Sequence, residues 1–291
     1  MKIAVVLVNY NGLSDTLDCI DSLHKSTVPL KIIVIDNASK DDETYFVSQK
    51  YPDVKVFRQE ENLGFAGGNN IGIRWALDNG YEYIALLNND TVIDSTLFKN
   101  LLAEADSNTV VAPYMYYHGS PKDLWYGGGT LNRWTGNAEH IYTFTETPFE
   151  CSLVTGCCFM AHRDIWEKVG LLDDSYFMYN EDADYSIRLV QNEVRLKVVP
   201  HAKLWHKVGK SSGGETSPFS CYYITRNRLH LLKTRKNFFK WTAYPFTVLT
   251  RCIWILRMNL AGKKDCAKAF VQGLKDARKG VMGKIDFSGI L

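Results

Sequence analysis

Ile3-Ala4-Val5-Val6-Leu7-Val8-Asn9-Tyr10-Asn11-Gly12 opens the chain with an unbroken apolar run that turns abruptly polar. A short run of this kind, closed by amides and glycine, reads as a strand buried on both faces. The pattern recurs. Lys31-Ile32-Ile33-Val34-Ile35 ends in Asp36-Asn37-Ala38-Ser39, and Tyr83-Ile84-Ala85-Leu86-Leu87 ends in Asn88-Asn89-Asp90. Val54-Lys55-Val56-Phe57 is a further strand between them, and helical spacing (Leu17, Ile20, Leu23; then 68–79) fills the gaps. Strands alternating with helices predict an α/β fold: a mainly parallel, Rossmann-like sheet flanked by helices. Ligands of such sheets bind beyond the carboxyl ends of strands, so residues 9–11, 36–39 and 88–90 are expected to share one crevice.

From about 110 to 155 the pattern loosens into short aromatic strands and turns, including Trp125-Tyr126-Gly127-Gly128-Gly129. Regular structure is expected to return over 154–160 and in a helix near 164–169. Tyr179-Asn180-Glu181-Asp182-Ala183-Asp184-Tyr185 then opens a helix over 182–192. The Gly/Ser-rich stretch 201–214 reads as a loop. These shifts suggest a unit over 1–215, with halves 1–110 and 111–215, followed by a basic helical region over 216–291.

Hydrophobic residues make up 46% and charged residues 23% of the 291, which excludes a disordered chain. The seven cysteines lack C-x-x-C spacing and are odd in number, pointing to a reducing compartment. The first apolar run has no small-residue cleavage site and reads as a strand, not a signal peptide, so a cytoplasmic location is expected. Net charge is +2, yet residues 226–284 carry 15 Lys/Arg against 2 Asp/Glu. Such an imbalance points to an anionic partner surface. Trp241 to Leu260 has the length of a membrane span, but Arg251 and Arg257 would each cost about 2.5–3.5 kcal/mol at a bilayer centre, and Pro245 would kink it. On a helical wheel Lys240, Arg251 and Arg257 share a side with Thr247 and Thr250. An amphipathic helix lying in the cytoplasmic leaflet is therefore expected, with a core-packing helix of a C-terminal subdomain as the competing reading.

Four constellations carry chemistry. Asn62-Leu63-Gly64-Phe65-Ala66-Gly67-Gly68-Asn69-Asn70 joins a strand to a helix, and its glycines suit either a close backbone approach to an anion or a tight turn. Asp90 can hold a divalent cation on a nucleotide diphosphate, or simply cap a turn. Glu181, Asp182 and Asp184 crowd a helix start behind an aromatic approach; that environment can raise a carboxylate pKa toward a general base, although capping alone explains some of them. His206 can complete a metal site or, with Lys207 and Lys210, bind phosphate; a structural role is the alternative.

In order along the chain, these pieces resemble the glycosyltransferase family 2 enzymes, especially their rhamnosyltransferase-like branch. The resemblance is carried by Val8 to Gly12, Ile35 to Ser39, Asn62 to Gly72, Leu87 to Thr91, Thr155-Gly156-Cys157, Tyr179 to Asp184, and Tyr222-Tyr223 with Arg226-Asn227. It covers about residues 1–230 and implies a GT-A fold over 1–215, a nucleotide-sugar donor, a Mg²⁺ or Mn²⁺ ion and inversion at the anomeric carbon. It also implies donor-binding roles for Asn9, Asp36, Asn37, Gly67, Gly68, Asn69, Asn70 and Asn89. Asp90 takes the last place of a D-x-D-type metal motif whose first acid is here Asn88, and His206 is a further candidate ligand. Asp182 matches the family's catalytic base, with Glu181 orienting it or holding a sugar hydroxyl. Trp125, Tyr126 and Trp134 are candidates for an acceptor platform.

The expected activity is sugar transfer from dTDP-rhamnose or a UDP-sugar to a hydroxyl of a lipid-linked glycan, in cell-surface polysaccharide synthesis at the cytoplasmic face of the membrane. Two alternatives stand beside it. A nucleotidyltransferase would be expected to carry a basic Gly-rich loop after the first strand, whereas no Lys or Arg follows until Lys25. A non-enzymatic glycan- or nucleic-acid-binding protein would have no use for Asp90 and Asp182 together. No nucleic acid partner is expected.

Overall fold

The computed structural model describes residues 1–208 and 216–287. The apolar runs form strands β1 (Ile3–Asn9), β2 (Leu30–Asp36), β3 (Lys55–Arg58) and β4 (Tyr83–Leu87), separated by helices α1 (Leu13–Leu23), α2 (Glu43–Lys50) and α3 (Gly64–Asp78). These strands lie in the order β4-β1-β2-β3, all parallel. β1 and β4 are almost wholly buried because helices cover both faces, which explains their unbroken hydrophobicity.

The second half begins with β5 (Thr91–Ile93), α4 (Leu97–Leu102), β6 (Thr109–Tyr117) and β7 (Ser120–Tyr126). There follow β8 (Gly129–Leu131), β9 (Ala138–His140), β10 (Phe149–Glu150), β11 (Cys158–His162), α5 (Arg163–Val169), α6 (Glu181–Gln191) and β12 (Arg195–His206). β11 inserts antiparallel beside β4, and β6, β12 and β10 extend the sheet from there. The sheet is thus parallel in its first half and mixed in its second, where the sequence loses its regular alternation. Residues 201–206, expected in a loop, finish β12 instead. His206 pairs with Thr91 of β5 and Tyr117 of β6, and those ladder bonds outweigh the loop-like composition that follows. Lys210, with the rest of 209–214 in the Gly/Ser-rich stretch, lies outside the described residues.

Three helices close the chain: α7 (Pro218–Thr234), α8 (Ala243–Leu260) and α9 (Lys264–Lys279). Ser217 caps α7 by accepting from Ser220 N, with Pro218 in the first turn where its missing N–H costs nothing. The inner side of α7 is buried, including Tyr222, Tyr223, Arg226 and Asn227. None of the described helices is long and apolar enough to cross a membrane. All seven cysteines are free.

Candidate active site

The carboxyl ends of β1, β2 and β4 converge as the strand reading requires. Asn9 stands opposite Asp36 in the parallel register. Its amide donates to Asp36 Oδ1 (2.9 Å) and to Glu43 Oε2 (2.6 Å), while its Oδ1 accepts from Thr16 Oγ1 (2.8 Å) and Asn89 Nδ2 (3.3 Å). Ser39 Oγ donates to Asp36 and accepts from Asn11 N, and Gly12 N donates to Glu43 Oε2. Asn9 and Asp36 are therefore buried struts that shape the loops above them. Neither lines the cavity in front of them. That cavity, about 720 Å³, is lined by Tyr10, Asn37, Asn62, Phe65, Asn88, Asn89 and Asp90 from the first half of the chain. Phe177 and Met178 before α6, Phe219 and Tyr223 of α7, and Lys284, Ile285 and Phe287 form its other wall.

The glycine-rich segment behaves differently from a phosphate loop. Asn37 accepts from Leu63 N (3.0 Å) and donates to Gly64 O (2.9 Å) and Asn62 Oδ1 (3.0 Å), which starts α3 at Gly64, earlier than the spacing suggested. Gly67, Gly68, Asn69 and Asn70 consequently lie inside the helix. A Cβ on Gly68 would stand 3.1 Å from both methyls of Val8, and one on Gly72 only 2.4 Å from Val6 Cγ1, so these glycines let α3 press against β1. Asn69 donates to Phe65 O within the helix, and Asn70 exchanges two hydrogen bonds with the Leu172 backbone. None of the four lines the cavity. Gly64, at φ +74°, does line it.

Asp90 and His206 meet because β5 and β12 pair just beyond them. His206 Nε2 lies 3.1 Å from Asp90 Oδ1, both residues are buried, and Lys207 N donates to Asp90 O (2.9 Å). Asp90 Oδ1 and His206 Nδ1 nonetheless have no hydrogen-bond partner. A buried carboxylate oxygen without a hydrogen bond, 3.1 Å from an imidazole Nε2, suits a divalent cation, though no cluster of three or more ligating side chains exists among the described residues. Lys207 does not face this site: its ammonium is held by Asp15 (2.8 Å) and Asp18 (2.7 Å), pinning the end of β12 to α1.

Glu181 and Asp182 open α6 after a contorted approach. Phe177, Tyr179 and Asn180 all have positive φ (63°, 69° and 73°), costly for residues with side chains and sustained only where surroundings enforce it. Enforcement comes from α7. Asn227 Nδ2 donates to Tyr176 O (2.9 Å), Met178 O (2.7 Å) and Tyr179 O (2.8 Å), while Arg226 donates to Tyr176 O (3.0 Å) and Gly283 O (2.6 Å). Asp182 accepts from Gly156 N (3.2 Å) and Ala183 N (2.8 Å). Burial raises its pKa, partly offset by those two N–H groups. Glu181 is pushed up to about 8, by burial first and then by the Asp182 charge, and its Oε2 has no partner. Asp184, the third acid, is bound by Arg188 (2.9 Å) and Arg235 (2.7 Å) and serves as a strut.

Asp182 does not line the cavity that holds Asp90, but hydrogen bonds connect the two through the Gly156–Cys157 backbone. Gly156, which bonds Asp182, precedes Cys157, whose carbonyl accepts from Asn88 N (2.8 Å). Trp125 bridges the same ground: its ring lies 4.5 Å from His206 and 5.3 Å from His140, and the His140 charge favours ionised Asp182. Tyr126 is fully buried and donates to Leu153 O (2.7 Å), while Trp134 is exposed beneath Lys240. The three aromatics thus form no common platform. Sequence reading missed Thr16, Glu43 and His140, and gave no role to Arg226 or Asn227. Only the last two carried a signal, as polar residues on an otherwise apolar helix face.

A parallel half-sheet gathering amides and one aspartate at its carboxyl edge, joined to a mixed half-sheet with an acidic helix start, is the plan of a GT-A glycosyltransferase. The model of glycosyl transferase family 2 matches residues 4–170, and the chain belongs to that family. It is similar to the dTDP-rhamnosyl transferase RfbF of Shigella flexneri, 26% identical over 81% of each chain. The low-salt glycan biosynthesis hexosyltransferase Agl10 of Haloferax volcanii is 23% identical, over 78% of this chain and 74% of that one. Among solved structures, GalNAc-T7 with UDP, GalNAc and Mn²⁺ superposes with a TM-score of 0.65 at 19% identity, covering 80% of this chain and 48% of that one. S. aureus TarS 1-349 with UDP-GlcNAc gives 0.63 at 18%, covering 97% and 82%. At these identities the structural likeness speaks for the fold.

Proposed function

We propose that this chain is an inverting, metal-dependent hexosyltransferase that moves a sugar, rhamnose from dTDP or a hexose from UDP, to a hydroxyl of a lipid-linked glycan in polysaccharide synthesis. The observation that carries the reading is Asp90, on the wall of a cavity of nucleotide-sugar size and 3.1 Å from His206, joined through the Gly156–Cys157 backbone to the buried Glu181–Asp182 pair. The names of RfbF and Agl10 support the rhamnosyl- or hexosyltransferase choice.

Asp182 takes the proton of the acceptor hydroxyl as its oxygen bonds to the anomeric carbon. The bond from that carbon to the diphosphate breaks on the opposite face, which inverts the centre. A raised pKa suits Asp182 to this task, since it makes the carboxylate a stronger base. Glu181, protonated at neutral pH, offers a hydrogen bond without adding a second charge. Asp90 and His206 would hold Mg²⁺ or Mn²⁺, which when bound neutralises charge on the departing diphosphate. Asn37 and Asn89 line the cavity given to the donor, and Trp125, whose ring lies against His206, is the aromatic assigned to the acceptor.

The test is donor hydrolysis or transfer with a panel of nucleotide sugars, beside a thermal-shift titration with UDP and dTDP in Mn²⁺. Asp182→Asn is expected to lower turnover by about 10²–10⁴-fold with nucleotide binding retained. An Asp182→Asn protein of full activity, or a wild type that binds no nucleoside diphosphate, would defeat the reading.

A further inference from the structure

The donor cavity carries two carboxylates on its walls, Asp15 and Asp90, and among the described residues a single cationic side chain, Lys284. Asp15 is bound by Lys207, so that charge is met within the protein. A diphosphate entering here brings further negative charge beside Asp90 and demands a compensating cation beyond any metal ion. Lys284 is exposed and makes no hydrogen bond or ion pair with any described residue.

Its segment is fastened where it crosses the cavity wall. Gly283 N donates to Ser175 O (2.7 Å), Arg226 Nη1 donates to Gly283 O (2.6 Å), and Ile285 N donates to Tyr223 OH (3.1 Å). Phe287 then stacks on Phe219, ring centroids 5.7 Å apart at 28°. Lys284 is thus flanked on both sides by anchored residues and needs no large movement to meet a ligand. A lysine kept at a fixed place, with its ammonium unspent, is what a phosphate-binding wall requires.

We propose that Lys284 binds the donor diphosphate, so that the segment following α9 completes the nucleotide-sugar site and ties the basic C-terminal region to donor binding. The inference rests on the donor reading above and assigns that site a contact from the end of the chain.

Isothermal titration of the full chain with UDP and dTDP in Mn²⁺, and with uridine and thymidine, decides it. Lys284→Met is expected to weaken both diphosphates about tenfold, the effect of losing one charge-assisted contact, while leaving the nucleosides unchanged. Lys284→Arg should restore most of the affinity. Diphosphate binding unaltered in Lys284→Met overturns the proposal, as does an equal loss for diphosphates and nucleosides, which would mark a change in cavity shape. Since Lys284 is exposed and unpartnered, the variants are expected to melt with the wild type. A wild type that binds neither diphosphate would instead defeat the glycosyl-transfer reading itself, and so the two failures are distinguishable.

Discussion

Glu181 and Asp182 are chain neighbours whose oxygens meet different surroundings: Asp182 takes two backbone N–H groups, whereas Glu181 Oε2 meets none. The difference has a sign that can be measured. Glu181 holds its proton up to about pH 8 in the folded chain but loses it near the ordinary carboxylate value when unfolded. Between those limits the folded state binds more protons, so stability falls as pH rises through the window and levels off above it. Glu181→Gln, which cannot ionise, is therefore expected to melt close to wild type at pH 4.5 and above it at pH 8. A constant difference across that range would mean that Glu181 is not buried and unpaired as described. At this scale the sequence brought Asn37, Asn89 and Asp90 to one cavity because each closes an apolar run, but it also sent there Asn9, Asp36, Asn69 and Asn70, which do not line it. Glu43 and Thr16 gave no sign. They reach Asn9 from helices whose rotation about their own axes only the packed structure fixes.

The element that positions Glu181 and Asp182 is the bend from Tyr176 to Asn180, and α7 holds it by buried side chains. The two hydrogens of the Asn227 amide are shared among three carbonyls of the bend, of which Met178 O and Tyr179 O depend on it most, since Tyr176 O also accepts from Arg226 and Met178 N. Removing its amide leaves buried acceptors unpaired, at about 1–3 kcal/mol for such a group, and frees the bend to relax toward ordinary dihedrals. Asn227→Ala should lower the denaturation midpoint accordingly and reduce kcat more than it raises KM for the donor. Urea unfolding and steady-state kinetics check both arms; equal stability would remove the clamp. The alternation of strands and helices was legible because each apolar run is short and closed by polar residues. The start of α3 was not, because it depends on Asn37, a residue 27 positions before the Gly64 carbonyl it holds. The same error placed Gly67 and Gly68 in a loop near phosphate when close approach to Leu63, for Gly67, and to Val8, for Gly68, explains their lack of side chains. Register between β5 and β12, which brings His206 to Asp90, is likewise a long-range fact that no local pattern announces.

Across the whole molecule, the C-terminal helices reverse the amphipathic expectation for α8. Thr247, on its expected polar side, is buried at 1% exposure, and the Arg251 guanidinium lies 5.7 Å over the Phe270 ring of α9. Leu249 and Leu256 are each 60% exposed and Leu260 80%, with Phe246 and Ile253 completing a stripe along the outer face. Exposed leucines at helical spacing lie on a stretch without a single acid from residue 226 to 264, and the expected partner of such a surface is an anionic bilayer. Apolar insertion and charge attraction would add, at about 1 kcal/mol for each Lys or Arg near the surface. The full chain should float with phosphatidylglycerol vesicles and much less with phosphatidylcholine vesicles. Raising the salt to 0.5 M should weaken the difference, since screening removes only the electrostatic part. Leu249→Glu with Leu256→Glu should abolish flotation while leaving nucleotide binding intact, because neither residue reaches the donor cavity. Were the same pair of substitutions instead to halve the mass in analytical ultracentrifugation without altering flotation, the stripe would belong to a second copy of the chain and the membrane assignment would fail.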